Sequence, residues 1–120
     1  MIVTIDGPAG SGKSTVARLL AERLNFRFLD TGAMYRAVAL AVLKASADEN
    51  HHTAVAEVAK GVSISFDEDR LLLNAQDVTS EIRSPEVTAI SSIVAANPEV
   101  RKRLVELQRD IGKLGNMVTE

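Results

Sequence analysis

The chain has 120 residues, 46% hydrophobic and 25% charged, with a formal net charge of −2. That balance fits one ordinary globular domain with a core, and it gives no general attraction to nucleic acid or to an anionic membrane. No cysteine is present, and the aromatics are three Phe and one Tyr without Trp, which excludes disulfides and thiolate metal sites and argues against a base-stacking platform.

Met1-Ile2-Val3-Thr4-Ile5 is a short, β-branched apolar run ending at Asp6, the pattern of a buried parallel strand. No basic leader precedes it, and no apolar run reaches membrane-spanning length, so a cytoplasmic location is expected. Residues 7 to 14 then read Gly-Pro-Ala-Gly-Ser-Gly-Lys-Ser, a full match to G-x-x-x-x-G-K-[ST]. Gly7, Gly10 and Gly12 lack a Cβ, so successive backbone N–H groups can curl around phosphate oxygens, with Pro8, Ala9 and Ser11 between them. Lys13 brings a point charge to the β/γ-phosphates, and the Ser14 hydroxyl can ligate Mg²⁺. A helix expected over Ser14–Leu24 turns its N-terminal amides toward the anion. Val16, Ala17, Leu19, Leu20 and Leu24 form its apolar stripe, and Asp6 is read as bracing the loop.

Asn25 to Asp30 reads as a second strand, with Phe26 and Phe28 alternating against Arg27, and Thr31-Gly32 as the break after it. A helix follows from Ala33 to Ala45, with a stripe of Met34, Ala37, Val38, Ala41 and Val42 and with Tyr35 and Arg36 near its start. Ser46 to Thr53 is polar, and a short helix Ala54–Lys60 is closed by Gly61 as its C′ residue. From Val62 the period becomes two: Val62 to Phe66 alternates, Asp67-Glu68-Asp69 turns, and Arg70 to Asn74 is apolar again. A third short segment is expected around Asp77-Val78-Thr79. Ser84-Pro85-Glu86 and Asn97-Pro98-Glu99 are two helix starts of one design, each with a cap, a proline and an acid. The second helix runs to about Ile111. Gly112 and Gly115 bracket a loop, and Asn116 to Glu120 begins a further core strand.

These elements predict an α/β fold, a P-loop NTPase-type parallel sheet flanked by helices with a small antiparallel hairpin and helical region inserted into it. The organisation expected is 1–60 for the start of the core, 61–97 for the insertion, and 98–120 for a return helix and a further core strand. A strand with nothing after it points to a piece of a longer protein and leaves the sheet partly unpaired. A complete minimal domain ending on an edge strand is the alternative.

Several other groups read as structural. His51-His52 lack ligand spacing for a metal, and Asp67-Glu68-Asp69 lacks the glycine and distal glutamate of a calcium loop. Arg101-Lys102-Arg103 taken alone is a solvated helix face. Asp30 stays open between a base or metal-shell carboxylate and a residue that binds loop amides. Arg36 follows a core strand closely, at the edge where open α/β sheets bind ligands.

Four blocks carry a resemblance: Ile5 to Thr15, Leu-Asp-Thr-Gly-Ala-Met-Tyr-Arg at 29–36, Ser-Glu-Ile-Arg-Ser-Pro-Glu-Val at 80–87, and Val94 to Arg101 with Gln108-Arg109 after it. Together they resemble the bacterial cytidylate kinase family over all 120 residues. The phosphate loop is shared by many NTPases, whereas the block at 30–36 is far more selective. The resemblance implies transfer of phosphate from ATP, with Mg²⁺, to CMP or dCMP. It implies that Gly7 to Thr15 hold the ATP phosphates, with Lys13 catalytic. Thr31 and Arg36 would meet the acceptor phosphate and its neighbourhood, Ser92 and Arg101 the pyrimidine, and Arg83 the acceptor from the inserted region. Members of the family are longer, and their cytosine-reading Asp and arginine-bearing lid would lie past Glu120.

Such chemistry requires positioning and cationic charge rather than a nucleophilic triad, and arginine suits it because guanidinium binds phosphate bidentately. Among rivals, a shikimate-kinase-like site would want an Asp where Gly32 stands. An adenylate kinase would have a different acceptor block, and a GTPase would need Asn-Lys-x-Asp and Asp-x-x-Gly, neither of which is present. A module that binds nucleotide phosphates without turnover is the reading from a different class.

Overall fold

The computed structural model describes residues 2–4, 13–67, 69–113, 115 and 117–119, with the side chains of Ile2, Lys13, Ser14 and Arg27 outside the description. Asp6, Gly7, Pro8, Ala9, Gly10, Ser11 and Gly12 of the phosphate motif lie outside the described residues, as do Glu68 of the hairpin turn, Asn116 and Glu120. Two units divide the chain: Met1–Gly32 with Gln108–Glu120, and Ala33–Leu107.

The first unit holds β1 (Ile2–Thr4), α1 (Lys13–Leu24), β2 (Arg27–Leu29) and β6 (Met117–Thr119). The strands form a parallel sheet in the order β1-β6-β2, with Val3 and Phe28 both opposite Val118 and with Thr4 and Leu29 both opposite Thr119. The expected unfinished last strand is therefore paired on both sides, and β1 and β2 are the outer strands among the described residues. Met117, Val118 and Thr119 are all buried, as a central parallel strand requires. One face of the sheet packs Val118 against Ala17 and Ala21 of α1, with Val3, Leu20, Phe26 and Phe28 around them. Of the stripe read from the sequence, Ala17 and Leu20 pack here and Ala21 joins them, whereas Val16 and Leu19 stay 55% and 54% exposed and Leu24 is exposed too. Alanine lets helix and sheet approach closely, and Arg18 covers the Phe28 ring with its guanidinium 4.3 Å from the ring centroid.

Helix α1 ends in a left-handed residue, Asn25, at φ 54°. Asn25 N–H donates to the Glu22 carbonyl at 3.2 Å and Phe26 N–H to Ala21 at 2.8 Å, the paired bonds of a Schellman motif with Phe26 and Ala21 in one apolar cluster. The same pair recurs after α2 (Thr31–Lys44). There Ser46, at φ 53°, donates to Leu43, and Ala47 to Val42.

Helix α2 starts at Thr31, so Thr31-Gly32 is its first turn and not a break. Asp30 stands just before it, a residue type favoured at that position. From Ala33 onward α2 belongs to the second unit and is buried nearly all round, Ala39 and Leu40 included as well as the expected stripe. A helix apolar on every side forms the centre of a core.

The second unit continues with α3 (His52–Gly61), β3 (Ile64–Asp67), β4 (Arg70–Leu73), β5 (Gln76–Asp77), a 3₁₀ turn Glu81–Arg83, α4 (Pro85–Ala95) and α5 (Pro98–Gly112). Helix α3 begins two residues earlier than the sequence pattern predicts because His51 caps it, its Nδ1 accepting from Ala54 N–H at 3.0 Å. Gly61 is helical rather than a left-handed C′ residue, and the cap after it, Val62, is extended. The carbonyls of Ala59 and Val62 are taken by Arg103, from Nε at 3.2 Å and Nη2 at 2.9 Å. A left-handed glycine is not needed where an arginine does its work.

Strands β3, β4 and β5 make an antiparallel meander whose Ile64, Leu71 and Leu73 are buried. The third segment comes earlier than expected because Asn74 (φ 50°) and Ala75 (φ 68°) form a two-residue left-handed turn directly after β4. Asp77 then accepts from Thr79 through both its hydroxyl (2.6 Å) and its N–H (3.0 Å). These bonds, the hydroxyl first, hold the Asp77 carboxyl below the usual carboxylate value. Both proline helix starts form as read: Ser84 Oγ accepts from Val87 N–H, and Asn97 Oδ1 from Glu99 N–H at 3.0 Å.

Candidate functional site

Parallel strands leave a sheet at one edge, and here that edge is set by register. Thr4, Thr119 and Leu29 lie side by side at the carboxyl ends of β1, β6 and β2. The segment after β1 is the phosphate motif, and the segment after β2 is Asp30-Thr31-Gly32. β1 and β2 thus end at the same edge, the side on which open α/β sheets bind ligands, and Thr31 follows β2 by two residues. Lys13 and Ser14 are the first two residues of α1, and Thr15 follows, exposed. No acidic side chain occupies the first turn of α1, and the positive end of a helix dipole favours an anion.

Two features of this edge escape the sequence pattern. Thr119 Oγ1 donates to Thr4 Oγ1 at 3.1 Å, which sets two hydroxyls at adjoining strand ends. No motif marks them; they meet only because residues 115 apart in sequence are neighbours in the sheet. The second feature is Gly32, where a Cβ would stand 3.3 Å from Asp30 Oδ1. The Asp30 carboxylate folds over the first turn of α2, and glycine gives it room.

The second unit carries the remaining candidates. Arg36, half-buried on α2, donates from Nη1 to the Ile82 carbonyl at 3.2 Å and to Thr88 Oγ1 at 2.8 Å. Ile82 precedes Arg83 in the 3₁₀ turn, and Thr88 lies one turn before Ser92 on α4. Arg36 thus bonds the residue before Arg83 and the residue one helical turn before Ser92. Arg83 and Ser92 are exposed, as is Arg101 on α5. No hydrogen bond with the described residues ties Arg101 to Arg36, Arg83 or Ser92. Its neighbour Arg103 departs from the solvated face read for Arg101-Lys102-Arg103, because it caps α3.

No helix among the described residues is long and apolar enough to cross a membrane. Among those residues, no three His, Asp or Glu side chains gather where they could hold a metal ion.

A family model described as cytidylate kinase matches residues 3–120. The cytidylate kinase of Mycobacterium leprae is 50% identical over all of this chain and 54% of its own length. That of Carboxydothermus hydrogenoformans is 50% identical, covering 100% of this chain and 56% of the relative. That of Symbiobacterium thermophilum is 44% identical, covering 100% and 55%. The chain spans about half the length of the curated relatives it matches.

Proposed function

The chain belongs to the cytidylate kinase family, and from that premise we propose that its protein transfers the γ-phosphoryl group of ATP to the phosphate of CMP or dCMP. The observation that carries this reading is the shared edge at which β1 and β2 both end, the strands that precede the phosphate motif and Thr31 in sequence. In this reading the backbone of residues 7–12 and the N-terminus of α1 bind the ATP phosphates, and Lys13 neutralises charge on the transferred group. Ser14 would hold Mg²⁺, which supplies further charge neutralisation between the phosphates. The N-terminus of α1, with no acidic side chain in its first turn, suits such an anion.

The acceptor phosphate is itself the nucleophile. One of its oxygens bonds to the γ-phosphorus while the bond to the departing ADP oxygen breaks, so no side-chain nucleophile is needed. Thr31, Arg36 and Arg83 hold that phosphate and its surroundings. Ser92 and Arg101 face the pyrimidine, and residues 61–97 serve as the acceptor region. A cytoplasmic location accompanies this reading.

The test is a coupled ADP-release assay on the intact natural gene product with ATP, Mg²⁺ and CMP. Lys13→Ala should lower kcat by about a thousandfold or more while far-UV circular dichroism stays unchanged. Wild-type turnover by a folded Lys13→Ala protein would sink the assignment.

A further inference from the structure

A guanidinium has five N–H donors arranged so that two edges can each grip an anion through two parallel hydrogen bonds. One edge is Nη1–Nη2 and the other is Nε–Nη2. In Arg36 both Nη1 protons have acceptors, the Ile82 carbonyl at 3.2 Å and Thr88 Oγ1 at 2.8 Å. That spends the first edge, and among the described residues nothing accepts from the second. It also fixes the plane of the group, since two acceptors on one nitrogen define where the remaining donors point.

The two anchors differ in kind. Ile82 is buried and its carbonyl belongs to the 3₁₀ turn, so that acceptor comes with the backbone whatever the side chain. Thr88 is a side-chain acceptor on α4, and four residues on, on the same face of that helix, stands Ser92. The contact to Thr88 is the shorter of the two, within the range of a charge-assisted bond. Because α4 is capped by Ser84, the hydroxyl rides on a defined helix rather than on a loop.

We propose that Thr88 is a positioning residue for the acceptor nucleotide: with the Ile82 carbonyl it clamps Nη1 of Arg36 and presents the Nε–Nη2 edge to a phosphate monoester. The proposal rests on the kinase reading above and names a residue that reading does not use. Thr88 does not itself touch the phosphate. It acts by removing the freedom of an arginine that would otherwise have to be ordered when the acceptor binds.

The experiment uses the intact natural gene product and compares Thr88→Val, which keeps the shape and loses the acceptor, with Thr88→Ser, which keeps the hydroxyl. Loss of one charge-assisted bond should raise KM for CMP about tenfold in Thr88→Val, with KM for ATP and the melting temperature unchanged and with Thr88→Ser close to wild type. In an Arg36→Ala background the Thr88→Val change should add nothing further, because the clamped group is gone. Equal rises in KM for both nucleotides, a Thr88→Ser variant as impaired as Thr88→Val, or full additivity with Arg36→Ala would each overturn the proposal. If Arg36→Ala raises KM for CMP and Thr88→Val does not, the clamp alone falls and the kinase reading stands. If the wild-type protein does not phosphorylate CMP at all, the kinase reading falls and takes the clamp with it.

Discussion

Arg103 shows how one side chain can stand in for a backbone conformation. Its Nε and Nη2 donate to the carbonyls of Ala59 and Val62 at the end of α3, and Nη1 lies 3.5 Å from Glu106. Arg103→Ala should therefore cost about 2 kcal/mol, the scale of charge-assisted bonds to carbonyls at a helix end, read as a drop in urea midpoint at unchanged slope. Arg103→Lys should recover only part of it, since one ammonium cannot bridge two carbonyls in a fixed fork. A loss below a few tenths of a kcal/mol would show that water replaces the cap at little cost. Nothing in the local pattern Arg101-Lys102-Arg103 separates the bridging arginine from its exposed neighbours; only the packing of α5 against the end of α3 does. The same holds for Arg36. Its nearness to a strand end is readable, but its two acceptors lie 46 and 52 residues away. The phosphate motif is the opposite case, because there the chemistry is local and eight consecutive residues state it.

At the scale of elements, what local chemistry governs was legible and what tertiary contacts govern was not. Ser84-Pro85-Glu86 and Asn97-Pro98-Glu99 announce helix starts because the cap, the proline and the acid all act within one turn. The start of α3 is not legible because histidine is an uncommon cap, and the left-handed ends at Asn25 and Ser46 carry no glycine to mark them. The turn between β4 and β5 offers a direct test. Both of its residues have positive φ, a conformation that suits Asn74 but strains Ala75. Ala75→Gly should raise stability by about 0.5–1 kcal/mol, the relief of left-handed strain less the added freedom of the unfolded chain. Thermal or urea unfolding of the two proteins decides it, and a destabilised Ala75→Gly variant would mean that the turn is not held as described.

For the molecule as a whole, strand existence was readable and strand order was not. A β-branched run says strand, but nothing within Met117–Thr119 says that it will lie between β1 and β2, or that its two neighbours will be joined through it alone among the described residues. Val118 is fully buried against Ala17 and Ala21, so Val118→Lys should remove slow amide exchange from β1, β2 and α1. The antiparallel pairing of Ile64–Asp67 with Arg70–Leu73 lies in the other unit and should keep its protection. Loss of protection in both units together would mean that they unfold as one. The central place of β6 also has a consequence for synthesis. Domains ordinarily begin to fold from the part made first, yet β1 gains β6 as its partner only once residues 117–119 leave the ribosome. By then every residue of the Ala33–Leu107 unit has already been made. β1 is thus made well before the strand that pairs with it, and until then it offers an open edge that another nascent chain could fill.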